Sequence, residues 1–93
     1  MKKTITILTP TYNEVGNIDE LYSRISKVIV KNPNYKFEHL FIDNASNDGT
    51  IDKIKQLAKK DKKVKAILNA RNFGPAASMM HGISQIQTDA CII

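Results

Sequence analysis

Apolar residues in this chain fall into short blocks whose period switches between two and about 3.6. Thr4 to Thr9 (TITILT) is β-branched and largely apolar, which predicts a buried strand that Pro10 ends. Ile18, Leu21, Tyr22, Ile25, Val28 and Ile29 then recur at helical spacing to about Lys31. Asn17 and Glu20 have the spacing of a capping box at its start, and Asn32-Pro33-Asn34 breaks it. Phe37 to Asp43 predicts a second strand, and Ile51, Ile54, Leu57 and Ala58 a second helical face. Val64 to Leu68 reads as a third strand. Pro75 suits the first turn of a third helix filled by Ala76, Ala77, Met79, Met80, Ile83 and Ile86, with Gly82 letting it approach the sheet. Ala90 to Ile93 begins a fourth strand. The order β-α-β-α-β-α-β predicts a Rossmann-like, three-layer α/β fold with a mostly parallel sheet and right-handed crossovers.

With 93 residues there is room for one domain. The 42% apolar and 25% charged content is that of an ordinary globular protein and argues against disorder. Cys91 is the single cysteine, which excludes an internal disulfide, and its apolar neighbours predict a buried, inert thiol. The apolar run after Met1-Lys2-Lys3 is too short for a signal peptide, and no stretch approaches the roughly 20 apolar residues of a membrane span. A cytoplasmic protein is the expectation. The net charge of +5 is moderate; its densest cluster, Lys59, Lys60, Lys62, Lys63 and Lys65, follows the second helical face and reads first as a solvated helix end complementing the dipole. Aromatic residues are not interleaved with these lysines, so no nucleic-acid platform is expected.

The informative chemistry lies where strands end. Open α/β sheets bind ligands at the carboxyl ends of their strands. Three ends in succession carry polar clusters: Thr9-Pro10-Thr11-Tyr12-Asn13-Glu14, Asp43 to Thr50, and Asn69-Ala70-Arg71-Asn72-Phe73-Gly74. The first lacks the glycines of G-x-G-x-x-G, and no G-x-x-x-x-G-K-[ST] occurs, which excludes dinucleotide and P-loop sites. Tyr12 can instead stack on or line a flat base, and Glu14 can accept from ribose hydroxyls, although Asn13 and Glu14 are equally suited to holding the turn together. Asp43 and Asn44 can present acceptors to a nucleobase. Ser46 and Asp48 can satisfy backbone N–H groups of the loop and of the next helix, with Gly49 at positive φ. Arg71 can pair with phosphate or with Asp43, and Gly74 permits close backbone approach. His81 is assigned no catalytic role.

The three motifs, in this order and spacing over the whole chain, resemble the family 2 glycosyltransferases, inverting enzymes of GT-A fold that use nucleotide-diphosphate sugars. The Arg71-Asn72-Phe73-Gly74 form is most similar to the branch acting on polyprenyl phosphates, including dolichol-phosphate mannose synthases and bactoprenol glucosyltransferases. The resemblance implies that Pro10, Tyr12, Glu14, Asp43, Asn44 and Arg71 bind the UDP- or GDP-linked sugar, with Thr9, Ser46, Asp48 and Gly74 organising the loops. Where many relatives carry a second acid, this chain has Asn44, which leaves the base open between uracil and guanine. The resemblance also implies a D-x-D-type motif for Mg2+ or Mn2+ and a later general base, both beyond Ile93. Residues 1–93 are then the N-terminal nucleotide-sugar-binding part of a longer enzyme, with no catalytic or metal residue of their own and inactive alone. The acceptor this branch implies is a polyprenyl phosphate, used in cell-envelope polysaccharide synthesis at the cytoplasmic face of a membrane.

Two other readings compete with this one. A non-catalytic module of the same lineage would bind nucleotide or a partner without transfer. A phosphoacceptor receiver would need a lysine at a later strand end, which is not seen. The last strand is expected to leave an edge open, which invites self-association.

Overall fold

The computed structural model describes residues 3–72, 74, 83, 88 and 90–92. Its elements are β1 (Lys3–Thr11), α1 (Ile18–Lys31), β2 (Tyr35–Asp43), α2 (Thr50–Lys60), β3 (Val64–Leu68) and β4 (Ala90–Ile92). The four strands form one sheet in the order β3-β2-β1-β4, and every pairing is parallel. The expected third helix and its residues Pro75, Ala76, Ala77, Met79, Met80, His81, Gly82 and Ile86 lie outside the described residues.

Register explains the two-sided core. Ile7 pairs with His39, Thr9 with Phe41 and Thr11 with Asp43, so these positions share one face. On that face Phe41 packs with Ile18 of α1, Ile54 and Leu57 of α2, and Val64 of β3. Leu8, Leu40 and Ile42 form a second buried cluster, with Ile67 against it. β2 is flanked by β1 and β3, and from His39 to Asn44 it is buried without a break. That continuity is what a central strand of a parallel sheet requires. Fully burying Phe41 alone contributes about 1.5–3 kcal/mol.

Four details differ from the sequence reading. β1 continues through Pro10 to Thr11, with Pro10 opposite Ile42. β4 covers β1 only at Ile5 to Ile7, so Pro10 lies where one side of β1 has no described partner strand and its missing N–H goes unused. Asn17 is the N-cap residue of α1 but makes no side-chain cap hydrogen bond; its φ of −111° and ψ of −10° are near-helical, where the reach to the first-turn N–H groups is poor. Cys91 is exposed, because β4 is an edge strand paired only with β1 among the described residues. Finally, Val28 is half-exposed: the C-terminal half of α1 stands over an apolar groove of about 460 Å3 lined by Ile5, Ile7, Ile25, Tyr35, Phe37 and Ile92 among others.

Between α1 and α2, the Tyr22 hydroxyl donates to Asp61 Oδ2 at 2.6 Å and Lys53 Nζ to Asp19 Oδ2 at 2.9 Å. Burial opposes ionisation of Asp61, yet the donors from Tyr22 and Lys63 outweigh it and hold its carboxyl below the usual range. In consequence the helices are tied to one another at both ends of the contact.

Candidate functional site

Parallel register puts the three polar strand ends in one row. Thr11 of β1 is opposite Asp43 of β2, and Asp43 is opposite Leu68 of β3. The loops that follow therefore leave the same edge of the sheet, side by side. The lysine cluster flanks the entry to β3, at the opposite edge, with Lys59 and Lys60 in the last turn of α2.

The first two loops are fastened by hydroxyl relays. Ser46 Oγ accepts from the Asn13 N–H at 2.8 Å and donates to Asp43 Oδ1 at 2.6 Å. Thr50 Oγ1 accepts from the Glu14 N–H at 2.9 Å and donates to Asp48 Oδ1. Asp48 Oδ2 takes the next amide, that of Val15, at 3.3 Å. Three successive backbone amides of the β1 loop thus end on side chains of the β2 loop and of the first residue of α2. A return bond runs from the Asn47 N–H to Asn13 Oδ1 at 2.9 Å. The Thr50 hydroxyl is the main reason the Asp48 carboxyl lies below its usual range. Such a strap leaves Tyr12 and Glu14 free to point outward, and Tyr12 is half-exposed.

Backbone conformation matches. Asn13 (φ 50°) and Ala45 (φ 64°) occupy the left-handed region, as does Gly49 (φ 99°), the N-cap residue of α2. For Ala45 this costs about 1–2 kcal/mol, which the surrounding bonds must offset.

Asp43 lies beneath the strap, wholly buried. Oδ1 accepts from the Thr11 hydroxyl at 2.8 Å as well as from Ser46, and Oδ2 accepts from the Ser46 N–H at 2.7 Å. A buried carboxylate is tolerable because three donors compensate it. In this structure it organises the two loops. Asn44 is also buried; its Nδ2 donates to Asn72 Oδ1 at 2.8 Å, and its Oδ1 faces Asn69 Nδ2 at 3.4 Å. Asn72 Oδ1 also accepts from the Gly74 N–H at 2.7 Å, with Gly74 at φ 86°. Arg71 is exposed on the loop so fastened. Pro10 is exposed at the end of β1. Glu14 is exposed and lines a shallow groove of about 230 Å3 with Asn17, Glu20, Leu21 and Arg24, on the α1 side of the rim.

One expected loop organiser is placed elsewhere. Thr9 lies inside β1, two residues before its end, and its hydroxyl pairs with His39 Nε2 at 3.0 Å within the sheet. Thr11 does the work at the strand end. Sequence reasoning missed Thr11 and the buried His39, because the partner of each is set by register between strands about thirty residues apart. Among the described residues, no three His, Cys, Asp or Glu side chains converge as metal ligands.

Comparison with known proteins places the fold and the family. CsbB of Bacillus subtilis (strain 168), whose name marks it provisionally as a glycosyltransferase, is 37% identical over 89 residues, which is 96% of this chain and 27% of that protein. An undecaprenyl-phosphate 4-deoxy-4-formamido-L-arabinose transferase of Pseudomonas savastanoi is 34% identical over 92 residues, 97% of this chain and again 27% of the relative. The chain thus spans about a quarter of the length of the curated relatives it matches. Among solved structures, a mannosyltransferase from Pyrobaculum calidifontis in complex with GDP-Man and Mn2+ superposes with a TM-score of 0.78 at 21% identity, over 94% of this chain and 25% of that one, which establishes a shared GT-A fold. The sequence model described as "Glycosyl transferase family 2" matches residues 6–93, and the chain belongs to that family.

Proposed function

We propose that the rim made by the ends of β1, β2 and β3 binds the nucleoside diphosphate part of a sugar donor, UDP- or GDP-linked, within a glycosyltransferase that passes the sugar to a polyprenyl phosphate. The observation that carries this reading is the strap. It spends four backbone amides and four side chains on holding the β1 loop against the β2 loop and the start of α2, and it leaves the side chains of Tyr12 and Glu14 unspent beside the loop of Arg71. Tyr12 offers an aromatic face to a base, Glu14 an acceptor for ribose hydroxyls, and Arg71 a guanidinium for phosphate. Support for the donor comes from the GDP-Man complex of the archaeal mannosyltransferase, and support for the acceptor from the named substrate of the Pseudomonas transferase. With such an acceptor, the protein works at the cytoplasmic face of a membrane.

A divalent cation such as the Mn2+ of the archaeal complex would neutralise the leaving diphosphate. The described residues supply no three-ligand set for it, so no step of the reaction is assigned to them through a metal. Their part is to bind and orient the nucleotide.

Titration calorimetry with UDP and GDP, with and without Mn2+, tests the reading. Saturable binding is expected, weakened at least tenfold by Arg71→Ala, since one charge-assisted hydrogen bond to phosphate contributes about 1.5–3 kcal/mol. Absence of binding to either nucleotide would contradict it. A full-length protein that binds nucleotide but transfers no sugar would favour the non-catalytic module.

The outer edge of β4 supports self-association as a further property. β4 has a described partner on one side only, and Ile92 on it is 53% exposed. Sedimentation velocity is expected to show concentration-dependent association, and a single monomeric species at high concentration would count against it.

A further inference from the structure

The geometry points to Asn44 as a positioning residue: its side-chain amide staples the loop after β3 so that Arg71 is presented to the phosphates of a nucleoside diphosphate. This rests on the nucleotide-binding reading above and adds a role for a residue that would otherwise be read as a contact for the base.

Gly74 sets the polarity of the network. Its N–H donates to Asn72 Oδ1, which fixes the orientation of the Asn72 amide, because a backbone N–H needs an acceptor. Asn72 Oδ1 is then also the atom that faces Asn44 at 2.8 Å, so residue 44 must supply a donor there. With Nδ2 committed to Asn72, Oδ1 of Asn44 faces Asn69 Nδ2. The donor direction runs Asn69 to Asn44 to Asn72, consistent at each step. A further anchor is the Asn69 N–H, which donates to the Asp43 carbonyl at 2.9 Å. The loop is pinned to the end of β2 at Asn69 and again at Asn72. Ala70 and Arg71 lie between the pins, and both are exposed. Asn44 itself is only 6% exposed, whereas Arg71, between the pins, is exposed.

An aspartate at position 44 has the same shape but lacks the donor. Its oxygen would oppose Asn72 Oδ1 at the distance where the hydrogen bond now lies, and Asn72 cannot turn over without abandoning Gly74. Asn44→Asp is therefore expected to loosen the Arg71 loop while leaving the strap between the β1 and β2 loops intact.

The test is a double-mutant cycle in the full-length protein, read by titration with UDP and GDP and, by NMR, with uridine and guanosine. For the diphosphates, Asn44→Asp is expected to raise Kd about tenfold, and nucleoside binding to stay within twofold of wild type. Adding Arg71→Ala to Asn44→Asp should cost less than threefold more, because the first change has already disengaged the guanidinium. Equal losses for nucleosides and diphosphates, or effects of the two substitutions that simply multiply, would overturn the positioning role and return Asn44 to base contact. A wild-type protein that binds no nucleotide would remove the proposed function, and this inference with it. Wild-type binding with the wrong pattern among the variants removes the inference alone.

Discussion

Asp43→Ala is expected to destabilise the protein by about 3 kcal/mol or more, the largest effect of any single change at the rim. The carboxylate is wholly buried and takes three hydrogen bonds, two from hydroxyls and one from a backbone N–H. Removing it leaves the partly buried Ser46 N–H without its acceptor and the Thr11 hydroxyl with only the Ile42 carbonyl, at 3.5 Å. Truncation that strands buried donors costs far more than the net value of the bonds themselves. Asn13 loosens next, because the Ser46 hydroxyl that accepts its N–H is oriented by Asp43. Asp43→Asn should be milder, at about 1–2 kcal/mol. The amide keeps one acceptor oxygen but turns a second donor toward Ser46. Urea unfolding of the two variants measures both values. If both unfold within 0.5 kcal/mol of wild type, Asp43 is not the keystone described.

The second large effect is on pH. His39 is buried on the helix-facing side of β2, its ring 4.1 Å from that of Phe41. Nε2 pairs with Thr9, while Nδ1 has no hydrogen-bond partner among the described residues. Burial pushes its pKa down to about 4, and attraction to Asp61 offsets little of this. In the unfolded chain the imidazole titrates near its ordinary value of about 6.5. The unfolded state therefore takes up the proton first as pH falls. Stability from neutral His39 is complete above about 6.5 and drains away between there and about 4, by about 3 kcal/mol in total. Asp48 and Asp61, whose carboxyls are held below their usual range, contribute stability that is lost as pH falls on through the carboxylate range. Thermal melts from pH 7 to 4.5 should show the decline in wild type. His39→Leu, which cannot charge, should flatten it. A wild-type curve that is flat over this range, or one unchanged by the substitution, would refute the account of His39.

How much of this was legible in the sequence depends on what sets each feature. The six elements outside residues 73–89 follow from periodicity within a single segment. TITILT and FEHLFID are read correctly as strands because their own residues demand it, and Gly49 takes positive φ as its place before α2 suggests. The row of three polar strand ends was also legible, since parallel βαβ units place like ends together. Side-chain partners were not. Nothing in the order of residues says that Thr11 rather than Thr9 meets Asp43, or that Thr9 meets His39. Both depend on a register in which a shift of one residue turns each side chain to the other face. The Asn69, Asn44 and Asn72 relay crosses from one loop to another and leaves no spacing to read. Cys91 was misjudged for a related reason: apolar neighbours indicate a strand, but not which strand becomes the edge.

Chemical-shift mapping with a UDP-sugar and a GDP-sugar tests the shared rim most directly. Shifts should concentrate at Tyr12, Glu14, Asn44 and Arg71, on three different loops, and saturate together with a single Kd. Perturbations gathered instead around Lys59 to Lys65, at the far edge of the sheet, or saturation of the three loops at different concentrations, would contradict a common site for one nucleotide.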